Sequence, residues 1–556
     1  MLNNNRKVFR MPLLVMATVC LLVTGCSNKQ PASSSEKEPE YNIVRPDFTP
    51  DYDNYGVSEK PSGVNMTYYN GVYSRGFSWL TDENTEGTEL YLVQSDKGAE
   101  ADFSGAQVIN GTSMLCTYDK SGNITAEGLA AAKGSGNTGE VKVMSHKVHV
   151  ENLEKGKAYS YKIGSEAGYY YGAFIVEKEK AKSITAIHLS DAQTKDLSKH
   201  SVWRNTIAKA VDTAGKDLDM ILYNGDQFDQ NNSSGNDKEP FRLFRFTKAY
   251  DVIQDYKFNV AYMTSSGNHE PSSPYSHYLM SDVNYAGYDY KGAYYSYDYD
   301  YAHFVVLNTN TVSTDQINWL KEDLDKASNA KWKVVMMHVS PYSTGDHSNK
   351  DENKTIVEKL TPIFSEKHVD LVLQAHDHTY NKTMPYKWDA AGYTEGDNLD
   401  DVVNLTPETE TVENVKYDKN PNGTYYVTTG AAGHRCGSVE SDGIWAEVVK
   451  DGDEIKGLNP SKTFTTNKYK NVCGTLTQSN QYESYKISSY TSSQDYKVGD
   501  PATGNVNACM FGVLNMTETT LSYHVYTTNE KSTVNGEVNY NLDSVKLFDT
   551  LDILKA

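Results

Sequence analysis

Five short polar motifs each close an apolar run in this chain: Asp191-Ala-Gln193, Gly225-Asp226 with Asp229 three residues on, Gly267-Asn268-His269-Glu270, His338, and His376-Asp377-His378. Carboxylates, a side-chain amide and imidazoles together make a donor set for a pair of metal ions. Hard oxygens supply charge, imidazoles suit zinc, iron and their neighbours, and one carboxylate can touch both ions. Two cations about 3.5 to 4 Å apart neutralise phosphoryl oxygens and turn a bridging water into hydroxide at neutral pH. Hydrolysis of a phosphate ester needs both effects. On this reading Asp191 binds the first ion, Asp226 bridges, Asn268, His338 and His376 complete the second, and His378 returns to the first. Singly, each motif could be a turn or a packed strand end; in order, each behind a strand-like run, they point to one site.

The elements that must position these residues follow from periodicity. From Ser183 onward, apolar runs at 183–189, 218–223, 259–264, 303–307, 331–337 and 369–373 alternate with helix-period segments at 199–214, 239–256, 315–328 and 351–366. Such alternation predicts βαβ units and sheets covered by helices, with ligands bound beyond the carboxyl ends of the strands. Every motif lies at that end of its run. Before this part, residues 56–180 read as short alternating strands separated by Gly, Asn and Lys clusters, the pattern of a β-sandwich. Trp79 reads there as core, and His146 and His149 as packing or surface histidines. A segment at about 387–420 is acidic and poor in apolar residues, 438–507 is a polar insertion, and 508–556 supplies closing strands that complete the catalytic domain.

The order of the motifs resembles the calcineurin-like metallophosphoesterase superfamily, whose pattern is Asp-x-His, Gly-Asp, Gly-Asn-His-Asp/Glu, His and Gly-His-x-His. Within it the chain is similar to the purple acid phosphatases and their bacterial relatives. Gln316-Ile-Asn-Trp319 before the fourth motif and the run from Gly423 to Gly433 after the fifth support the likeness, which covers about residues 56–437. It implies a mixed α+β and α/β fold: an N-terminal fibronectin/Ig-like β-sandwich at 56–180, then a four-layer α/β/β/α metallophosphoesterase domain at 181–437. It also implies a dinuclear centre of two divalent or trivalent ions, of iron, zinc or manganese.

The chain departs from that pattern in places. Gln193 stands where the broader superfamily has a metal-binding His, and Asp229 where the purple acid phosphatases have a Tyr ligand, so the purple colour of tyrosinate on ferric iron is not expected. Gln193 and Asp229 either bind the first ion or accept hydrogen bonds that orient its ligands. By the resemblance His269, and His347 nine residues after His338, face the substrate and assist the leaving group as catalytic residues. Ala375 replaces a Gly, a change the turn should absorb. Tyr380 and Lys382, which resemble the family's Tyr-x-Arg, read as structural.

The remaining sequence sets the setting. With 38% apolar and 23% charged residues the chain has ordinary globular composition, and its formal charge of -20 argues against a nucleic-acid-binding surface. Arg6, Lys7 and Arg10 precede an apolar run from Met11 to Thr24 that is too short to span a bilayer, and Val23-Thr24-Gly25-Cys26 resembles a bacterial lipobox. Residues 1–26 are therefore expected to be a lipoprotein signal peptide with lipidation at Cys26, and 27–55 a disordered tether. Cys116, Cys436, Cys473 and Cys509 form no CxxC; one or two disulfides are compatible with an oxidising compartment, Cys436 and Cys473 bracketing a loop-rich stretch. The expectation is an extracytoplasmic enzyme, lipid-anchored to a bacterial cell membrane, that hydrolyses small phosphate monoesters. A phosphodiesterase or nucleotidase on the same centre, and a non-catalytic surface-binding lipoprotein, are the alternatives.

Overall fold

The structure, a computed structural model, describes residues 41–50, 58–118, 124–125, 141–177, 182–193, 200–227, 249–270, 281–289, 292–342, 351–378, 380–383, 385–388, 402–404, 407–434, 448–451, 454–458, 508–534 and 537–556. Cys26, Asp229 and His347 lie outside the described residues, as do Cys436 and Cys473. Among the described residues no helix is long and apolar enough to cross a membrane.

Two large sheets carry the motifs. The first, eight-stranded, runs in the order Ala261–Thr264, Met220–Tyr223, Ile184–Leu189, Cys509–Met516, Thr520–Val534, Glu537–Leu554, Val415–Lys419, Glu408–Val412. The second, seven-stranded, runs Gly287–Asp289, Gly292–Tyr299, Ala302–Val306, Trp332–Val339, Leu371–Ala375, Tyr425–Thr429, Tyr380–Lys382. In each the strands that lead to motifs are parallel neighbours; the helix His200–Ala214 crosses between Ile184–Leu189 and Met220–Tyr223, and helices Thr314–Lys326, Asp351–Lys359 and Thr361–Glu366 make the crossovers of the second sheet.

Alternation along these strands sorts the side chains into layers. Ala186, Met220 and Leu222 of the first sheet meet Phe304, Val334 and Met336 of the second in a shared core. Their neighbours Ile187, Leu189 and Ile221 face Trp203 and Ile207 of the helix His200–Ala214 on one outer side. On the other, Val305, Val335 and Met337 face Leu320, Leu324, Ile356 and Phe364 of the second sheet's helices. Strands buried on both faces need continuous apolar runs, which is why 331–337 and 369–373 are legible as strands in the sequence.

The expected helix 351–366 is two helices, Asp351–Lys359 and Thr361–Glu366. Pro362 lies in the first turn of the second; it has no amide to continue the hydrogen-bond ladder and is tolerated only at such a start. The acidic stretch 387–420 is not purely loop, because Val415–Lys419 pairs in parallel with the last strand. The closing strands expected at 508–556 are present: Cys509–Met516 pairs antiparallel with Thr520–Val534, which pairs in turn with Glu537–Leu554.

Ahead of this assembly stand two antiparallel sheets of five and four strands, with Val64, Phe77, Trp79, Leu92, Tyr161 and Phe174 in a common core. His146 is buried against Trp79 between the hydroxyls of Thr81 and Thr88, and burial lowers its pKa to about 4. These sheets are tied to the following part by Lys147 Nζ to Ser281 O at 2.6 Å and Tyr161 Oη to Phe258 O at 2.9 Å. Cys116 and Cys509 are buried free thiols.

Candidate metal centre

The motif residues gather where the two sheets end, and the backbone bends sharply to bring them there. Asp191, Gln193, Asp226 and His376 all have positive φ, at 51°, 42°, 53° and 74°. Non-glycine residues take that conformation at a cost, and such positions cluster at functional sites. Two loops interlock to hold it: Asp191 N donates to Gly225 O at 3.1 Å, and Gln193 N to Asp226 O at 2.9 Å.

Asp226 is at the centre and fully buried. Its Oδ1 accepts from His269 N at 2.7 Å, and its Oδ2 accepts from Gln193 Nε2 at 3.0 Å and lies 3.2 Å from His338 Nε2. Asn268 Oδ1 is 2.9 Å from the same His338 nitrogen, and Asp226, His338 and His376 each place a donor atom within 4.8 Å of the others. On the other side His376 N donates to Asp191 Oδ2 at 3.2 Å, and His378 Nε2 lies 3.6 Å from Asp191 Oδ1. The His269 ring stands further out, its Nε2 3.9 Å from Asp226 Oδ2 and its side chain partly exposed.

Several residues that build this arrangement were given no role of their own from the sequence. Glu270, fourth in its motif, accepts backbone N–H from Asp226 and Gln227 at 2.8 Å each and from Gly267 at 2.6 Å, locking the second and third motifs together. The acidic residue of the Gly-Asn-His-Glu pattern was the available signal. Gly267 is required by close approach, since a Cβ there would lie 2.1 Å from Asp226 Oδ1. Asn310 Nδ2 holds Gly267 O at 2.9 Å, and Gln316 grips the backbone of Asn308 at both its N–H and C=O, so the helix Thr314–Lys326 braces the Asn268 loop. Glu352 lies 3.3 Å from His376 Nε2. Tyr380 and Lys382 instead bind Asp549 of the last strand, a structural role.

The donor set fits a metal. His338 Nδ1 must donate to the carbonyl of Asn224 at 2.7 Å, which leaves the lone pair of a neutral ring on Nε2, facing the oxygens of Asp226 and Asn268. Three lone-pair donors converging on one point attract a cation. Asp191 Oδ1 is buried without a hydrogen-bond partner, and among the described residues the ion-pair partners of Asp191 and Asp226 are histidines. Burial, with the charge of Asp226 adding to it, pushes Asp191 up to about 7. Burial acts in the same sense on Asp226, but His338, His269 and His376 outweigh it and hold that carboxyl below the usual range. Without a cation the charge of Asp226 outweighs the burial of the His338 ring and lifts it to about 10, so Nε2 then carries a proton that a bound metal would displace.

Two helix-covered sheets with an acid–imidazole cluster at their carboxyl ends define a metallophosphoesterase-type α/β domain. Residues 184–380 match the family model of the calcineurin-like phosphoesterases, and this part of the chain is a calcineurin-like metallophosphoesterase domain. Acid phosphatase type 7 of Mus musculus is 26% identical over 290 residues, covering 47% of this chain and 61% of that protein. Purple acid phosphatase 21 of Arabidopsis thaliana is 30% identical over 138 residues, 22% of this chain and 31% of that protein. The chain thus matches less than two thirds of the length of either relative. The solved purple acid phosphatase PPD1 from yellow lupin (Lupinus luteus) seeds superposes with a TM-score of 0.56 at 14% identity, over 89% of this chain and 74% of that one, a likeness of fold.

Proposed function

We propose that the chain is a metal-dependent phosphoric monoester hydrolase, similar in its centre to the purple acid phosphatases. The convergence of His338, His376 and Asn268 around buried Asp226, with Asp191 and His378 alongside, carries this reading. Two metal ions of iron, zinc or manganese held by these six side chains would supply positive charge for the phosphoryl oxygens and acidify a water. The chain's own residues do the rest. Asp226 is fixed through its Oδ1 by His269 N, so its carboxylate cannot swing away. Asn224 fixes the His338 tautomer, and Glu270 fixes the loops that carry Asp226 and Asn268. His269, at the rim and beside Asp226, is placed to hand a proton to the leaving oxygen. His347 is proposed for the same task from sequence alone.

The two N-terminal sheets are taken as the fibronectin/Ig-like sandwich that accompanies such a centre. The lipobox-like run before Cys26 supports anchoring in a bacterial cell membrane with the enzyme extracytoplasmic, facing small phosphate esters. Acyl labelling that is lost on Cys26→Ser tests the anchor. The catalytic test is hydrolysis of para-nitrophenyl phosphate with added manganese, zinc or iron, against Asp226→Ala and His376→Ala. Metal-dependent turnover lost in both variants supports the enzyme. A chain that is inactive with every metal and holds fewer than two ions would be a binding protein instead, and turnover of a diester alone would favour the phosphodiesterase alternative.

A further inference from the structure

Gln193 is the residue at which this chain departs from the superfamily pattern, and its side chain is committed to the centre. It is 2% exposed, its backbone N–H is bonded to Asp226 O at 2.9 Å, and its side-chain Nε2 lies 3.0 Å from Asp226 Oδ2. Backbone and side chain therefore both hold it against the bridging carboxylate. A half-turn of the terminal amide exchanges its two ends; a cation bound beside Asp226 would favour that turn, replacing the hydrogen bond that Nε2 now donates and setting Oε1 about 3 Å from that carboxylate oxygen. Two oxygens at that spacing fit neighbouring corners around a small hard cation with bonds of about 2.1 Å.

We infer that Gln193 sets metal specificity: its amide oxygen joins Asp191 and Asp226 to make the first position oxygen-rich, with His378 as its single imidazole, and so lowers that position's preference for zinc over manganese(II). The inference rests on the two-ion reading above. Carboxylate and carbonyl oxygens suit manganese, whereas imidazoles suit zinc and iron. The second position has two imidazoles, His338 and His376, beside Asp226 and Asn268. A mixed solution should therefore fill the centre unevenly, with zinc in the second position and manganese in the first.

The test uses the chain stripped by a chelator and equilibrated with two equivalents of zinc and an excess of manganese(II), read by elemental analysis and by the electron paramagnetic resonance of bound manganese. Wild type is expected to keep one manganese and one zinc per chain. Gln193→His should exchange the manganese for a second zinc, Gln193→Glu should retain it, and Gln193→Leu should raise the manganese Kd by about tenfold or more while still holding one zinc. That retained zinc shows that the variant is folded. Equal manganese affinity in wild type and Gln193→Leu, or two zinc ions in wild type, would overturn the inference and leave the two-ion reading standing. A wild-type chain that binds no ion overturns both.

Discussion

His338 Nδ1 donates to the backbone carbonyl of Asn224 at 2.7 Å, and through Asn224 both sheets are tied together beneath the centre. Asn224 N donates to Leu189 O at 2.8 Å, while its side-chain Nδ2 reaches Leu373 O at 2.7 Å and Met337 O at 3.3 Å. One buried residue thus touches the strand ahead of Asp191, the strand that carries His338 and the strand ahead of His376. Asn224→Asp would turn a carboxylate oxygen toward two carbonyls. The expected cost is about 2–4 kcal/mol in urea unfolding, with weaker metal binding. Wild-type stability in that variant would show that the clip contributes nothing.

Gly267→Ala should act on the centre rather than on the fold as a whole. The added methyl meets Asp226 Oδ1 at 2.1 Å and Asp226 N at 2.3 Å, so the bridging carboxylate must shift. Overpacking of this kind costs about 1–3 kcal/mol. Metal content by elemental analysis should fall below the wild-type value while circular dichroism stays native. Full metal content in the variant would show that the Asp226 loop yields without loss.

The strands leading to Asp191, Asp226, His338 and His376 were legible because they are buried on both faces and so read as unbroken apolar runs. The order of polar residues after them was legible because each begins where the apolar run stops, although most of these polar residues stay buried. Asn224 and Glu270 were harder to read because their partners are backbone groups, which leave no trace in residue type. Asn224 meets Met337 O and Leu373 O across more than a hundred residues, and nothing in the chain near position 224 announces them. The split at Pro362 was visible as a residue, but the helical period on either side masked it. Val415–Lys419 was read as part of an acidic insertion because an exposed strand late in a sheet carries few apolar side chains.

Asp549 on the last strand accepts from Tyr380 Oη and pairs with Lys382 Nζ at 2.8 Å. The same Lys382 donates to Thr550 O at 2.8 Å. This pair, with Asp549 buried and Lys382 partly exposed, docks the C-terminal hairpin onto the short strand that follows the last motif. Asp549→Ala leaves Lys382 and the Tyr380 hydroxyl without their carboxylate, and a loss of about 1–3 kcal/mol is expected by urea unfolding. Metal content should stay at the wild-type value, since Asp549 holds the strand and not an ion. Loss of metal with unchanged stability would reverse that assignment.

His303 provides a pH test away from the centre. Its Nδ1 lies 2.7 Å from Asp298 Oδ1 and its Nε2 2.9 Å from Asp323 Oδ2, so the ring links its strand to the helix Thr314–Lys326. Burial favours the neutral ring, but the bonds to Asp298 and Asp323 outweigh it and lift the pKa from 6.5 to about 9. Because the folded chain holds this proton more tightly than the unfolded one, the contribution is fully present below pH 6.5 and is lost as pH rises through about 9. The shift alone would correspond to about 3 kcal/mol, and the exposure of Asp298 reduces it to about 1–2 kcal/mol. Urea unfolding should therefore show wild type more stable than His303→Gln at about pH 6, with the gap narrowing by that amount at about pH 10. A gap that does not change with pH would mean that the ring contributes by packing and hydrogen bonding alone, without a net charge.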